Sequence, residues 1–160
     1  MNKFINNSPY LFTNHIRFVI KTVVWHPDQS FNKFLVLRRE SNDPIRPNTL
    51  DLAGGGIHWA ELHQIGLQRE IFEETGLTVR SIKELILFTA YHPKDEIYDF
   101  ILGSSAVAIH DQVVLSKEHQ EYAWITKEDF FSLYPDYTFV DHRIFNIHSI
   151  DFIGDIISKA

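Results

Sequence analysis

The stretch GGGIHWAELHQIGLQREIFEETGL, residues 54–77, decides how the rest of the chain is read. It opens on Gly54-Gly55-Gly56, where the backbone has its greatest conformational freedom. From 62 to 74 good helix formers dominate, and Gly66 is the lone breaker, so the segment predicts a helix. Gly76 stands where a left-handed C-cap belongs. On this helix Glu70, Glu73 and Glu74 fall at i, i+3 and i+4, which at about 100° per residue confines them to roughly a third of the circumference. Ile65 and Phe72 occupy the opposite side while Leu67 and Ile71 flank the acids, so partial burial of the acidic stripe is expected. Three carboxylates beside buried surface ask for a cation, and their oxygens are hard ligands suited to Mg²⁺, Mn²⁺ or Ca²⁺. A solvated acidic helix face is the alternative reading of the same run.

Around this stretch the chain totals 160 residues, enough for one domain spanning 1–160. Hydrophobic residues make up 44% and charged residues 22%, which excludes disordered, coiled-coil and collagen-like classes. A formal charge of −6 opposes coating of nucleic acid, and a small polyanionic ligand would need a local cation to offset the protein's own field. The absence of cysteine removes disulfides, thiolate metal sites and cysteine nucleophiles together. Residues 1–12 are broken by Asn6, Asn7, Ser8 and Pro9, so no signal region is expected there. No run approaches the roughly 20 apolar residues of a membrane span, and a soluble, cytoplasmic protein is the expectation.

Upstream, 16–25 reads as a strand running into the turn 26–30, and 34–37 as a second strand. A polar, proline-punctuated loop then leads to the short alternating segment Leu50-Asp51-Leu52. Downstream, 84–91 and 98–109 are strand-like, with Gly103-Ser104-Ser105 expected as a bulge. Residues 122–125 form another strand, and Thr126 with Asp129 resembles a capping box opening a helix. Val140, Ile144, Ile147 and Ile150 suggest a C-terminal amphipathic helix. Strands interleaved with helices imply an α+β (mixed α/β) domain with its sheet between helices.

Gly55, Glu61, Arg69, Glu70, Ile71, Glu73, Glu74, Gly76 and Leu77 reproduce the pattern G-x5-E-x7-R-E-U-x-E-E-x-G-U, with U apolar. The chance of such a recurrence in a chain this long is on the order of 10⁻⁶ or less. The chain resembles the Nudix family, whose box this is. The resemblance implies an α/β/α sandwich with a mixed central sheet. It implies hydrolysis of a diphosphate linkage in a nucleoside diphosphate-X or nucleoside triphosphate, with Mg²⁺ or Mn²⁺. Carried over by position, Glu70 and Glu74 would be the principal metal ligands, Glu73 a third ligand or the water activator, and the Gly55 carbonyl a further ligand. Arg69 would hold the helix carboxylates, and Glu61 would be the acid that orients it. Ala53 stands where the family often has proline and Ala60 where it often has glycine, which alters the expected loop path. A fold that has kept the box as a catalytically silent nucleotide-sensing or interaction module is the rival reading.

Outside the box the resemblance points to a loop acid as catalytic base or extra metal ligand, here Glu118 or else Glu121, with an ordinary solvated loop acid as the alternative and His119 as the other candidate base. Trp59 is either a lid-like substrate contact or a packed surface aromatic. Tyr91, His92 and Tyr98 could stack on a base or be half-buried strand residues. Arg38, Arg39 and Arg46 could meet phosphate or be solvated charge. No histidine pair shows the spacing of a zinc helix. Substrate-binding residues are not assignable from the sequence. The sequence leaves the oligomeric state open, and aromatic surface around Trp25 or the C-terminal helix could support a homodimer.

Overall fold

The computed structural model describes residues 15–44, 46–92, 97–134, 156–157 and 159–160. In chain order the elements are β1 (His15–Trp25), a 3-10 turn (Gln29–Phe31), β2 (Lys33–Arg39), β3 (Leu50–Asp51), α1 (His63–Thr75), β4 (Val79–His92), β5 (Ile97–Ala108), β6 (His119–Thr126) and α2 (Lys127–Leu133). One mixed sheet runs β3-β2-β1-β5-β4, and β6 pairs with β2. Within it β1 and β5 are parallel over eleven register positions, His15↔Ile97 to Trp25↔Val107, while the other pairs are antiparallel.

Strand alternation gives the sheet two apolar faces. Ile20 and Val24 of β1 join Leu35, Leu37, Ala106 and Ala108 against Leu67 and Ile71 of α1. Val23 points the other way, to Phe34, Val36 and Ile101, where Phe130 of α2 and Ile156 and Ile157 cover the sheet. The layers are therefore helix, sheet, helix, as expected.

Local signals act where the sequence placed them. Gly76 caps α1 at φ +69° and returns its N–H to Phe72 O. The Thr126 side chain accepts from Asp129 N at the start of α2. Three expectations need correction. The helix buries Gly66, Leu67, Ile71, Glu74 and Thr75, whereas Ile65 and Phe72 are more than half exposed, so the apolar boundary of the acids lies on one side only. Gly103-Ser104-Ser105 keeps regular register with β1, and the irregularities fall in β4, between Arg80 and Lys83 and between Glu84 and Ile86, with Ser81 at φ +55°. β4 also starts at Val79 rather than 84. The expected helix around 140–150 lies outside the described residues.

What positions the glycine segment is a parting of strands. β1 and β2 meet at one register position, Trp25↔Phe34, and then diverge. Residues 50–57 fill the gap. Leu50 and Asp51 bond to β2, while Thr22 N donates to Ala53 O, Ile20 N to Gly55 O and Ile57 N to Phe18 O. The turn between them packs so closely that a Cβ at Gly54, φ +128°, would stand 2.2 Å from Ile20 O. At Gly56 a Cβ would meet nothing within 4 Å.

Gly54→Ala is expected to lower stability by about 2–4 kcal/mol, combining backbone strain with a clash on unyielding backbone. Gly56→Ala should stay within about 0.5 kcal/mol. Urea unfolding of the two variants checks the contrast, and equal losses would contradict the packing described.

Candidate active site

Arg69 is the hub of the acidic helix face. It lies two turns into α1, and a side chain there reaches back over the turn before it and forward to i+4. Its Nε and Nη2 donate to Glu61 Oε1 and Oε2, both at 2.9 Å, a bidentate pair that a lysine would not make. Nη1 donates to Glu70 Oε1 at 2.8 Å and to Glu73 Oε2 at 3.1 Å. Nη2 also reaches Gly56 O at 3.0 Å, tying the helix to the glycine turn. Glu61 additionally accepts from His58 N at 2.9 Å. The hydrogen bonds from Arg69 and His58 draw the Glu61 pKa down to about 2, and those to Glu61 and Glu70 hold Arg69 protonated.

Glu74 differs from its neighbours. Its side chain turns under the helix, 6% exposed, and Oε2 accepts from Gly54 N at 2.8 Å. Burial raises its pKa to about 7 against the attraction of Lys21 and the Gly54 hydrogen bond. Glu70 lies against the turn from above: a Cβ on Gly55 would stand 2.5 Å from Glu70 Oε2. Glu73 is exposed.

These donors fit a divalent cation in chemistry. All are hard oxygens, and each of the three carboxylates engages one oxygen with Arg69 or Gly54, leaving its second without a hydrogen bond among the described residues. Gly55 O already accepts from Ile20 N and retains a lone pair. Among the described residues no three His, Asp or Glu side chains close on one point as they stand, and the cation between Glu70 and Glu73 is the Arg69 guanidinium.

The other sequence candidates are placed as follows. Glu118 is exposed on a turn, 3.9 Å from Arg39 Nη2, two residues after Ser116, whose N–H reaches Glu74 O at 2.9 Å. It is therefore near the C-terminal end of α1 but not in contact with the helix carboxylates. Glu121 is exposed and paired with Arg38 at 3.0 Å. His119 is the first residue of β6 and is buried at 3% exposure, with neither ring nitrogen hydrogen-bonded. Burial pulls its pKa down to about 4. Trp59 is fully exposed, which removes the packed-aromatic reading. Tyr98 is half-buried against Phe100, with ring centroids 5.3 Å apart. The side chains of Tyr91 and His92 are outside the described residues. Trp25 is partly covered, packed on Phe34 with Lys127 over its ring.

Arg39 and Arg46 are not solvated charge. Both converge on Asp51, at 3.0 and 3.3 Å, and Lys21 reaches the same carboxylate at 2.8 Å. Asp51 is 1% exposed and Lys21 4%. Sequence reasoning passed over Lys21 and Asp51. The available signal was a lysine and an aspartate set among branched aliphatic residues, Val19-Ile20 and Val23-Val24 around Lys21-Thr22, and Leu50 and Leu52 around Asp51.

A mixed sheet between helices thus carries an arginine-clamped acidic helix face that closes on a glycine turn. The NUDIX domain family model matches residues 18–145. The chain is 29% identical over 118 residues to the nucleoside triphosphatase NudI of Escherichia coli O17:K52:H18, covering 68% of this chain and 84% of that protein. The Shigella flexneri protein of the same name matches equally. Among solved structures, the MutT protein from Methanosarcina mazei Go1 aligns with TM-score 0.60 and 22% identity over 89% of this chain and 93% of that one. A MutT Nudix hydrolase from Burkholderia pseudomallei aligns with TM-score 0.57 and 17% identity over 72% and 86%. The chain belongs to the Nudix family, and it is a hydrolase acting on phosphoanhydride bonds. Such hydrolases generally use divalent metal ions. No helix among the described residues is long and apolar enough to cross a membrane.

His119 gives this fold a measurable acid sensitivity. The folded chain protonates it near pH 4 and the unfolded chain near its ordinary 6.5, so acid favours unfolding across that window. Stability should fall as pH drops from about 6.5 to about 4, with wild type losing on the order of 2–3 kcal/mol relative to His119→Phe. Chemical denaturation of both proteins across this range measures the difference, and parallel curves would contradict a buried neutral imidazole.

Proposed function

We propose that this chain hydrolyses a diphosphate linkage in a nucleoside triphosphate or a small nucleoside diphosphate-X, with Mg²⁺, or Mn²⁺ in its place. The observation that carries the reading is the closure of the acidic helix face on the glycine turn, Glu74 on Gly54 N–H and Glu70 against Gly55. The name carried by the NudI relatives supports the triphosphate arm. Residues 1–160 act in this reading as one domain, and the nucleotide substrate supports a cytoplasmic setting.

Glu70 and Glu74 would hold the metal, with the Gly55 carbonyl beside them and Glu73 as third ligand or water activator. When bound, the metal neutralises phosphate charge and lowers the pKa of a coordinated water. The chain's own residues do the rest. Arg69 fixes the rotamers of Glu70 and Glu73 through one planar guanidinium, and Glu61 fixes Arg69 by taking two of its donors. Arg69 therefore orients the acids without touching substrate. Glu118 is the base of this proposal: exposed, near the end of α1, and free to swing from its long contact with Arg39.

A panel of nucleoside triphosphates, oxidised nucleotides, nucleotide sugars, ADP-ribose and dinucleoside polyphosphates, assayed with Mg²⁺ and then Mn²⁺, tests the proposal. One substrate class is expected to turn over and to be silenced by EDTA. Ligand-induced thermal stabilisation with no turnover would favour the sensing-module reading instead. Glu73→Gln and Glu74→Gln keep side-chain shape and remove charge, so hydrolysis should fall by about 10²-fold or more in protein whose circular dichroism is unchanged. Glu118→Gln should abolish the acidic limb of the pH–rate profile, and an unaltered profile would place the base elsewhere.

A further inference from the structure

We propose that Lys21, a β1 residue outside the Nudix box, is a positioning residue for the divalent-metal site, acting through the glycine turn. The inference rests on the metal reading above and adds a residue that neither the motif nor the sequence analysis assigns.

Lys21 is 4% exposed, in a stretch of β1, Ile20 to Val24, that is buried throughout. Burial of a lysine is costly and persists only where its hydrogens are used. Lys21 Nζ uses them on Asp51 Oδ1 at 2.8 Å and Leu52 O at 3.1 Å. Both acceptors belong to the two residues that lead into the turn. From there the path is short and covalent. Ala53 O is fixed by Thr22 N, Gly54 follows with its N–H on Glu74 Oε2, and Gly55 O is fixed by Ile20 N. Backbone bonds from β1 therefore hold the turn at Ala53 and Gly55, and the Lys21 side chain holds the two residues that precede it.

The side chain adds to these backbone bonds at the point where pairing with β2 stops. β3 is two residues long, so its pairing with β2 ends at Asp51. Beyond it, Leu52 N–H returns to Asp51's own carboxylate at 2.9 Å. Without the ammonium, the described contacts leave Leu52 O without a donor and Asp51 held from the β2 side alone, by Arg39 and by Arg46. The turn would then shift toward β2 by as much as its bonds to Thr22 N and Ile20 N allow, loosening the alignment of Gly54 N–H with Glu74 and of Gly55 with Glu70.

Geometry and charge predict opposite results, which makes the proposal testable. Removing a cation near clustered carboxylates would by Coulomb attraction alone tighten a divalent ion. Misplacing the turn would weaken it. Mn²⁺ alone is the probe, with free ion counted by electron paramagnetic resonance in wild type, Lys21→Met and Lys21→Arg, alongside melting temperature and steady-state kinetics on the substrate identified from the panel.

Lys21→Met is expected to bind Mn²⁺ about tenfold more weakly and to lose kcat by a similar factor, with KM for the nucleotide within about twofold. Lys21→Arg, which keeps a donor and charge, should recover most of the affinity. Equal or tighter Mn²⁺ binding by folded Lys21→Met overturns the proposal even if its melting temperature falls, because the ammonium would then be structural only. If Lys21→Met does not fold, Lys21→Gln, whose neutral amide is one bond shorter and falls short of holding both Asp51 and Leu52 O, is compared in the same way, and unchanged affinity in it overturns the proposal equally. Wild type that binds no Mn²⁺ overturns the metal reading itself and this inference with it, an outcome distinct from wild type that binds while the variants match it.

Discussion

Everything at the site depends on a buried carboxylate that three cations share. Asp51 receives Lys21 from β1, Arg39 from β2 and Arg46 from the connecting loop. Burial by itself would raise its pKa, but Lys21, Arg46 and Arg39 together hold it well below the ordinary carboxylate range. A buried ion pair of this kind adds little net stability over an apolar substitute, because desolvation offsets the attraction, yet losing one partner is expensive. Its consequence is register. β1 and β2 meet at one position, and where residues 50–57 enter, their main-chain bonds to β2 and then to β1 bridge the gap. The charge cluster ties the two strands directly across it.

With that gap set, the acids follow. The turn presents Gly54 N–H inward and Gly55 outward, and α1 comes down with Glu74 under the turn and Glu70 over it. Leu67 and Ile71 make this placement possible by anchoring the helix on Ile20 and Val24, the same β1 residues whose neighbours bind the turn. A carboxylate face thus sits at the boundary of an apolar core. The fold holds it there through β1, whose backbone serves the turn and whose alternate side chains serve both cores.

The parts of this arrangement that were legible in the sequence are those written in local spacing. Glu70, Glu73 and Glu74 share a face because of helical period, Gly76 caps the helix because glycine takes the left-handed conformation without a Cβ penalty, and Thr126 opens α2 because its hydroxyl reaches Asp129 N. What was not legible depends on partners distant in the chain. Lys21 and Asp51 are thirty positions apart and in different strands, and nothing in either neighbourhood names the other. Periodicity set Ile65 and Phe72 on a side that the sheet does not cover, since α1 packs along Leu67 and Ile71 and leaves the rest to solvent. The bulge was expected at Gly103-Ser104-Ser105 on residue type, yet β5 is held on both sides by β1 and β4, and the strain falls on β4, which has β5 alone as neighbour in the sheet order. His119 looked like a loop histidine and is instead the buried first residue of a strand, because the β2 ladder extends past Tyr122 to it.

Arg69 shows how a cluster of acids can be stable before any metal arrives. Glu61, Glu70 and Glu73 would repel one another on and beside one helix, and a lysine could offset that charge only as a mobile point. The guanidinium instead divides its donors: two for Glu61, one nitrogen shared by Glu70 and Glu73, and one bond back to Gly56 O. Each helix carboxylate is thereby oriented by one oxygen and keeps the other, so orientation and ligation draw on different atoms of the same group. A cation entering beside Glu70 and Glu74 would need neither acid to abandon its present partner. The geometry is prepared by charges internal to the chain, and a divalent ion bound there would complete it rather than create it.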